Sequence, residues 1–468
     1  MRASGAADRA IAGDPFPPVP GCLDSYPDFL QFLFGRKASG VKLGLENTRL
    51  MLERLGHPHR GLAAFHVAGT NGKGSTSAIL AAILEAGGCR TGLYTSPHLL
   101  DYRERIRVGG VPACPEDLMD ACERIRPHLS EIPLTFFEIT TLLGILTFVR
   151  QKVDVAVMEV GLGGRLDATN ILDEPFPVIT GIQFDHEGIL GKRLVEIASE
   201  KAGIIRGSRP VITGVRRRAV LDLLAKRCRE TGAPLLVLKD EARWRIRESS
   251  WGGTRFLLRT KEHRYDNLTL PLPGVHQVAN AALAVRAVEV MSRVLGLGIR
   301  PEHVRRGLRD VVWPGRFQVL SGPPRIVLDV AHNPGGARVL ARTLKNLCPE
   351  GIGVLVLGML QEKKHVDVLR QLAPLARRVV VTSPDSDRAA SLEALASAAR
   401  GLGIEPVTVP EVGAALKKGI SIAGRDETVV VAGSCYTVGE ALRSLGIEDA
   451  WDQSAVQARQ VPSARKRA

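Results

Sequence analysis

The sequence has few aromatic residues and no long apolar run, and each shortage excludes a class of protein. Aromatic side chains make up 4% of the 468 residues, which leaves few rings to stack on the bases of nucleic acids. The longest apolar stretches, such as residues 142–149, are far shorter than the roughly 20 residues that cross a bilayer. We therefore expect neither a nucleic-acid partner nor a membrane span.

Cysteine is also sparse and follows no pattern. The seven cysteines are widely scattered and never occur in CxxC spacing, so neither a disulfide framework nor a zinc site is indicated. Residues 1–21 lack the apolar core of a secretory signal. These absences predict a cytoplasmic protein.

Positive charge is in excess. The chain has 63 Lys and Arg residues against 49 Asp and Glu residues, a formal net charge of +14. These basic residues are spread along the chain instead of forming one stripe, so the excess suits small polyanionic substrates better than a nucleic acid.

The most informative segment is a glycine-rich loop between an apolar strand, residues 62–68, and an Ala/Ile/Leu-rich helix that we expect to begin near Ser75. Glycines let backbone N–H groups approach phosphate oxygens, the helix start and a lysine add positive charge, and a hydroxyl can bind Mg²⁺. Because the spacing departs from the strict GxxxxGK[ST] motif, a glycine-rich turn with a solvated lysine is the alternative. The pattern predicts an ATP site made of Gly69, Thr70, Asn71, Gly72, Lys73, Gly74, Ser75 and Thr76.

The order of apolar and polar segments predicts two α/β domains. Alternating strands and helices in the first half favour a mostly parallel sheet with helices on both faces, and residues 243–270 predict an antiparallel hairpin appended to that sheet. After a turn at Pro314 and Gly315, a second strand–helix series predicts a smaller Rossmann-like domain. The expected parts are a flexible extension, two domains and a disordered basic tail: residues 1–25, 26–312, 313–450 and 451–468.

A metal site is expected beside the phosphate loop. Glu159 closes one apolar strand and His186 follows another, and parallel strand ends face the same crevice. Together with the Ser75 hydroxyl they would make a partial shell for Mg²⁺ or Mn²⁺. The alternatives are a strand-end carboxylate at a helix N-terminus for Glu159, and an imidazole that only hydrogen-bonds Asp185 for His186.

Several separated motifs occur together in one order: GLENT at 44–48, the phosphate loop at 69–75, TSPHL at 95–99, ERI at 104–106, EVGLGGRLDATN at 159–170, DH at 185–186, EKAGII at 200–205, PGRF at 314–317 and DVAHN at 329–333. This ordered set spans about residues 26–446. It resembles the bacterial folylpolyglutamate synthase/dihydrofolate synthase branch of the Mur ligase family.

The resemblance implies a Mur ligase-like P-loop ATPase domain followed by a glutamate-ligase domain. It also implies ATP-dependent amide formation, in which a carboxylate becomes an acyl phosphate and the amine of L-glutamate attacks it. The carboxylate substrate would be dihydropteroate, a reduced folate or both. Because phosphoryl transfer needs cations, Lys73, Arg316 and Mg²⁺ at two sites are the expected cations.

The resemblance assigns further residues. It implies that Lys201 is carbamylated and binds the second metal ion, whereas the sequence alone indicates a solvated helical lysine beside Glu200. It also implies that Asn280 and Arg316 hold ATP and that Asp329 and His332 close over the nucleotide; ordinary turn residues are the alternative for the last two. Pterin-side contacts would come from Thr95, Ser96, Pro97, His98, Phe137 and Glu138, together with Arg165 in the adjacent motif. Adjacent phenylalanines at a helix start are also typical of a core.

Two other functions stay open at this point. One is a Mur ligase for a different acid, such as a peptidoglycan precursor, although those enzymes usually carry an additional N-terminal domain and about 60 residues precede the loop here. A P-loop NTPase switch would need no second substrate. We expect the folate-type ligase, acting as a monomer on small molecules.

Overall fold

The computed structural model describes residues 19, 23–39 and 43–452 of the chain. In this part, two α/β domains meet over a cavity, and a small antiparallel sheet packs on the first domain. No helix there is both long enough and apolar enough to span a membrane. Most of the predicted N-terminal extension and basic tail lies outside the described residues.

The first domain is built on an eight-stranded sheet. Its strands are β1 (Ala64–Ala68), β2 (Thr91–Tyr94), β3 (Ile106–Val108), β4 (Val111–Pro112), β5 (Val155–Glu159), β6 (Phe176–Ile179), β7 (Val211–Thr213) and β8 (Leu235–Val237). The order is β4-β3-β2-β5-β1-β6-β7-β8, and all pairs except β2–β3 and β3–β4 are parallel. Every residue of β1 and β5 is buried, as expected for parallel strands covered on both faces.

Helices cover both faces of this sheet. They are α1 (Tyr26–Gly35), α2 (Glu46–Arg54), α3 (Lys73–Ala86), α4 (Pro115–Ile125), α5 (Phe136–Arg150), α6 (Glu187–Leu190), α7 (Leu194–Ala202), α8 (Arg218–Thr231), α9 (Leu238–Glu241), α10 (Val275–Leu295) and α11 (Pro301–Asp310). Helix α3 follows the phosphate loop directly and is buried along most of its length, so the loop rests on a rigid support.

The predicted hairpin is instead a separate three-stranded antiparallel sheet, with the order β11-β10-β9. Its strands are β9 (Ala242–Ser250), β10 (Gly253–Thr260) and β11 (Arg264–Leu270). The predicted small antiparallel region is confirmed, but it has three strands and does not pair with the main sheet. Phe256, Leu258, Tyr265 and Leu268 form one buried face that packs in the same core as α10, so these strands are stabilised by a helix and need no pairing with the main sheet.

The second domain has a six-stranded sheet in which only β12 is antiparallel to its neighbour. Its strands are β12 (Gln318–Leu320), β13 (Arg325–Asp329), β14 (Ile352–Gly358), β15 (Ala376–Thr382), β16 (Val407–Thr408) and β17 (Thr428–Ala432), in the order β12-β13-β17-β14-β15-β16. Its helices are α12 (Pro334–Leu347), α13 (His365–Leu372), α14 (Leu392–Arg400), α15 (Val412–Ile422) and α16 (Cys435–Ser444).

Two residues that the sequence analysis placed in the terminal segments are packed on the domains. Leu23 is 7% exposed and belongs to the core under α1. The Trp451 ring lies 5.3 Å from the Trp313 ring, and the Arg107 guanidinium lies 3.6 Å above it. Both ends of the described chain are therefore held by side-chain contacts that hydrophobic periodicity does not reveal.

Candidate functional site

A cavity of about 420 Å³ lies between the two domains. Strands β5, β1 and β6 are parallel neighbours, so Glu159, the phosphate loop and residues 180–186 leave the sheet at one edge. Residues after β13, among them Asp329 and His332, close the cavity from the second domain. This is the crevice at the carboxyl ends of strands where open α/β sheets bind ligands.

The phosphate loop presents an uncapped helix start to this cavity. Helix α3 begins at Lys73, two residues earlier than expected, after Gly72 with φ of +88° and without a side-chain cap. The first N–H groups of a helix have no partner within it and attract anions. The Lys73 ammonium lies 3.4 Å from the Thr70 carbonyl and 4.0 Å from Glu159 Oε1. The loop therefore has the free amides and the cation that phosphates require.

Glycine is needed in this loop because other groups approach it closely. A Cβ atom on Gly72 would lie 2.7 Å from Asn280 Oδ1, and one on Gly74 would lie 2.6 Å from the Trp313 ring. Asn280 is thus in place beside the loop, with its amide bonded to Gln277. Ser75 and Thr76 are buried, and the Thr76 hydroxyl has no hydrogen-bond partner within the described residues.

The predicted metal ligands line the same cavity. Glu159 is 5% exposed; burial raises the pKa of its carboxyl, and the Lys73 charge and the Ser96 amide, 3.3 Å away, act in the opposite direction. Burial lowers the pKa of His186 to about 4, which favours a neutral ring at pH 7, and its Nε2 lies 3.5 Å from the Lys363 ammonium. Its Nε2 is 3.9 Å from Asp185 Oδ1, too far for a hydrogen bond.

These ligands make only part of a metal shell. The described residues contain no group of three or more His, Cys, Asp or Glu side chains that would hold an ion. The set of a hydroxyl, a carboxylate and a neutral imidazole fits Mg²⁺ where phosphates and water complete the coordination, because Mg²⁺ keeps several such ligands. The residues therefore fit a nucleotide-bound cation better than a metal caged by protein alone.

Lys201 lies on α7 and points into the cavity, contrary to the solvated lysine that the sequence alone indicates. It is 5% exposed, and no hydrogen bond or ion pair of its ammonium occurs in the described part of the chain. Burial, together with the nearby Lys73 charge, lowers its pKa to about 7. Its neighbour Glu200 is paired with Arg165 instead. This environment therefore favours the uncharged amine of Lys201 over the ammonium.

The second domain contributes Arg316, Asp329 and His332, which all line the cavity. The Asp329 carboxylate accepts hydrogen bonds from the amides of Phe317, at 2.9 Å, and Ala331, at 2.8 Å, and burial raises its pKa. Asp329 thus holds the linker and the loop after β13 together. His332 Nδ1 lies 3.0 Å from the Val330 carbonyl, so its other nitrogen faces the first domain.

On the predicted acceptor side, the structure brings only part of the set to a cavity. Ser96 and Pro97 line the main cavity, and Thr95 and Pro97 line an adjoining one of about 70 Å³. His98 is half-buried, desolvation lowers its pKa, and its Nδ1 accepts a hydrogen bond from Arg105. The Phe137 ring packs on Gly161 and Tyr94. These two rings stay predicted acceptor contacts.

Glu138 and Arg165 line neither of these cavities. The Glu138 carboxylate accepts hydrogen bonds from the amide and hydroxyl of Thr135, both at 2.8 Å, in a capping box at the start of α5. The Arg165 side chain is 54% exposed and bonds Glu200 at 2.9 Å. The structure gives both side chains other partners, and their role as substrate contacts stays a prediction.

The sequence analysis missed three residues that join the domains. Asp185 accepts hydrogen bonds from Lys363 at Oδ1 and from Asn333 at Oδ2, both at 3.0 Å. Burial opposes ionisation, but His332 and Lys363 hold the pKa of Asp185 well below its usual range. The Asn333 amide also bonds Asn71 of the phosphate loop at 3.0 Å. Asp185 and Asn333 lie within recognisable motifs, whereas Lys363 lies in a charged run that gives no signal.

Comparison with known proteins places both domains in one class. Residues 67–288 match the Mur ligase middle domain, and residues 315–435 match the glutamate ligase domain of Mur ligases. With a phosphate loop on one domain and closing residues on the other, the fold and site define a Mur ligase. Within that class, the chain belongs to the dihydrofolate synthase/folylpolyglutamate synthase family.

The family assignment follows from relatives that match over nearly their whole length. The chain is 34% identical to the dihydrofolate synthase/folylpolyglutamate synthase of Bacillus subtilis, covering 90% of this chain and 99% of the relative. It is 34% identical to the one of Escherichia coli, covering 91% and 96%. The E. coli enzyme solved with DHPP and ADP superposes with a TM-score of 0.83 at 33% identity, covering 91% of this chain and 99% of that one. As a member of this family, the chain is an ATP-dependent ligase.

Proposed function

We propose that this ligase adds L-glutamate both to dihydropteroate and to reduced folates. The observation that carries the proposal is the shared cavity, where the phosphate loop, the buried Lys201 and the closing residues of the second domain meet. Relatives with the combined name match over nine tenths of the chain. Related enzymes have been solved with DHPP and ADP, and with Mn, AMPPNP and L-glutamate, which supports the same set of substrates here.

In the first step, a carboxylate oxygen of the acceptor attacks the γ-phosphorus of ATP. The bond between that phosphorus and the bridging oxygen breaks, ADP leaves, and an acyl phosphate remains. Negative charge on the phosphate oxygens is stabilised by positively charged groups fixed in place before the reaction. Lys73 and the first amides of α3 supply them from one domain, and Arg316 supplies a guanidinium from the other.

In the second step, the amine of L-glutamate attacks the carbonyl carbon of the acyl phosphate. The C–O bond to phosphate breaks, phosphate leaves, and the amine loses a proton to water. His332 and Asp329 line the cavity on the side of the second domain. The Asp329 carboxylate accepts a hydrogen bond from the Ala331 amide and so holds the loop after β13 next to the nucleotide site. Asn280 positions the nucleotide from α10.

A divalent cation would be held by Ser75, Glu159 and His186 together with nucleotide phosphates. When bound, it supplies positive charge next to the phosphate oxygens. The neutral state of His186 and the buried charge of Glu159 are suited to that role.

Lys201 is proposed to carry a carbamate that holds a second cation. Its neutral amine attacks CO₂, a C–N bond forms, and one N–H proton passes to water. The carbamate is an anion in a buried site, and it needs an adjacent cation to persist. The pKa of about 7 keeps the amine reactive at neutral pH.

Initial rates of ADP release test the acceptor. The purified enzyme is given ATP, Mg²⁺ and L-glutamate at saturation, with either dihydropteroate or tetrahydrofolate as the second substrate. We expect turnover with both and none without glutamate. Turnover with one acceptor restricts the proposal to a monofunctional ligase, and turnover with neither contradicts it. Slow ATP hydrolysis that needs no acceptor would instead indicate a switch protein.

The enzyme is also proposed to act as a monomer that closes around its substrates. All the groups described above come from one chain, and the linker Trp313–Arg316 joins two domains that both contact the nucleotide region. Small-angle scattering should show a smaller radius of gyration with a non-hydrolysable ATP analogue and acceptor. No compaction would contradict closure, and a dimer mass in light scattering would contradict the monomer.

A further inference from the structure

Two consecutive lysines of the second domain reach across to the first. Lys363 and Lys364 follow β14 in the loop that leads to α13. The Lys363 ammonium bonds Asp185 Oδ1 at 3.0 Å and lies 3.5 Å from His186 Nε2. The Lys364 ammonium pairs with Glu187. Each lysine therefore has a carboxylate partner on the opposite domain.

The two ion pairs differ in burial. The side chains of Lys363 and Asp185 are 8% and 12% exposed, whereas those of Lys364 and Glu187 are 51% and 28% exposed. Removing one partner of a buried pair leaves a charge without compensation, while an exposed pair contributes little. Lys363 and Lys364 are thus adjacent lysines that each form an ion pair, but we expect only the buried pair of Lys363 to matter for the site. Lys364 is therefore a matched control.

Asp185 connects Lys363 to the backbone of His186. The same oxygen that accepts the Lys363 ammonium also accepts the backbone amide of His186, at 3.0 Å. His186 has φ of +50°, a left-handed conformation that is uncommon for residues other than glycine and that the hydrogen bond to Asp185 helps to hold. The Lys363–Asp185 contact therefore acts on the orientation of the His186 ring.

Lys363 itself does not line the cavity, whereas Asp185 and His186 do. Asp185 also receives the Asn333 amide at its other oxygen, and Asn333 in turn bonds Asn71 of the phosphate loop. The Asp185 carboxylate of the first domain thus contacts three side chains of the second, since His332 Nε2 also lies 3.7 Å from Oδ2. These contacts exist only when the domains are together.

We propose that Lys363 is a positioning residue that links closure of the domains to the orientation of His186 through Asp185. When the second domain closes, Lys363 fixes the Asp185 carboxylate, and Asp185 holds the His186 backbone in the conformation that turns its ring to the cavity. An open enzyme lacks this support. Closure then completes the wall of the site as well as excluding water.

The test compares Lys363→Met, Lys363→Arg and the control Lys364→Met in the full chain. Circular dichroism and thermal melting first establish that each variant is folded. We expect Lys363→Met to lower kcat about 100-fold, because a small displacement in a site has effects of that order, with KM for ATP and for the acceptor within about threefold. Lys363→Arg should restore about a tenth or more of the activity, and Lys364→Met should stay within about twofold of wild type.

Scattering supplies a readout that does not depend on turnover. With a non-hydrolysable ATP analogue and Mg²⁺, Lys363→Met should lose most of the compaction seen for wild type and for Lys364→Met. Equal kcat for Lys363→Met and Lys364→Met, or an increase in KM alone, would overturn the proposal. It would also be overturned if Lys363→Met compacted like wild type. These outcomes are distinct from failure of the proposed function, which would show as a wild-type enzyme inactive with either acceptor.

Discussion

The two domains are both parallel-rich sheets with helices on their faces, yet their sheet edges carry different groups to the cavity. The edge of the first domain presents a glycine-rich loop, an uncapped helix start and the buried Glu159. The edge of the second presents polar side chains, such as Asn333 and Lys363, that bond to the first domain. We therefore propose that the first domain binds phosphate with its backbone and that the side chains of the second stabilise the closed state.

This difference indicates which substitutions act on chemistry and which act on assembly. The phosphate loop with Lys73 is held by the first domain itself, so we expect its removal to affect the reaction directly, whereas His186 is the first-domain group that we propose depends on closure. Groups of the second domain act through contacts across the interface, and their removal affects how often the complete site forms. The following experiments test this division, beginning with the largest expected effect.

Lys73→Ala should lower kcat by about a thousandfold or more, because the lost cation acts on charge that develops in the transition state. The fold should be unchanged in circular dichroism and thermal melting. ADP release under saturating substrates measures the effect, and Lys226→Ala, an exposed helical lysine, is the control. A Lys73→Ala enzyme that keeps more than about a tenth of the activity would remove Lys73 from the mechanism.

Lys201→Ala should be nearly inactive, and a short carboxylic acid added to the assay should restore part of the activity by replacing the carbamate. Mass spectrometry of the wild-type protein under CO₂-preserving conditions should show the added mass of a carbamate. The exposed Lys192 changed to Ala is the control. A bare amine in the active enzyme, with no rescue of the variant, would refute the second-cation role.

The pKa of Lys201 adds a direction to this test. Since burial lowers that pKa to about 7, the amine is mostly protonated and reacts slowly with CO₂ below pH 7, and it is mostly neutral above pH 7. After removal of CO₂, reactivation by bicarbonate should therefore be weak at pH 6 and strong at pH 8. At constant CO₂ concentration the reactivation rate should level off above about pH 8, and a rate that keeps rising about tenfold per pH unit beyond that point would indicate an ordinary lysine pKa and contradict the lowered one.

Gly74→Ala should reduce kcat/KM about tenfold, since the added Cβ would lie 2.6 Å from the Trp313 ring of the linker. This substitution tests the contact between the two domains, because relieving the clash requires either the phosphate loop or the linker to move. Gly298→Ala is the control, as nothing lies within 4 Å of a Cβ at that position. If both variants have wild-type kinetics, the contact between loop and linker has no part in the reaction.

Glu138→Ala should destabilise the protein by about 1 to 2 kcal/mol through loss of the capping box at α5, with KM for the acceptor unchanged. Chemical denaturation and initial rates measure the two effects separately. A large rise in acceptor KM at unchanged stability would instead support the predicted substrate contact. Thr135→Ala, which removes the other half of the same box, should match Glu138→Ala in stability.

The amino-acid sequence by itself was enough to find the family, the phosphate loop and the order of the two domains. These are local properties, since glycine spacing, apolar periodicity and motif order are carried by neighbouring residues. For Glu159 and His186, the parallel order of the strands also indicates that they face one crevice, and the structure places both in that cavity.

Only the tertiary structure decided which side chains are buried and which contacts join the two domains, because both depend on residues that are distant in the sequence. Lys201 resembles a solvated lysine in sequence, yet packing buries it and lowers its pKa. Glu138 and Arg165 are predicted substrate contacts, but in the structure Glu138 accepts a hydrogen bond from Thr135 and Arg165 pairs with Glu200, and neither side chain lines the cavity. Lys363 lies 178 positions from Asp185, and its role follows from burial and from a contact between domains. No local pattern encodes burial or such a contact, because both arise only when the two sheets come together.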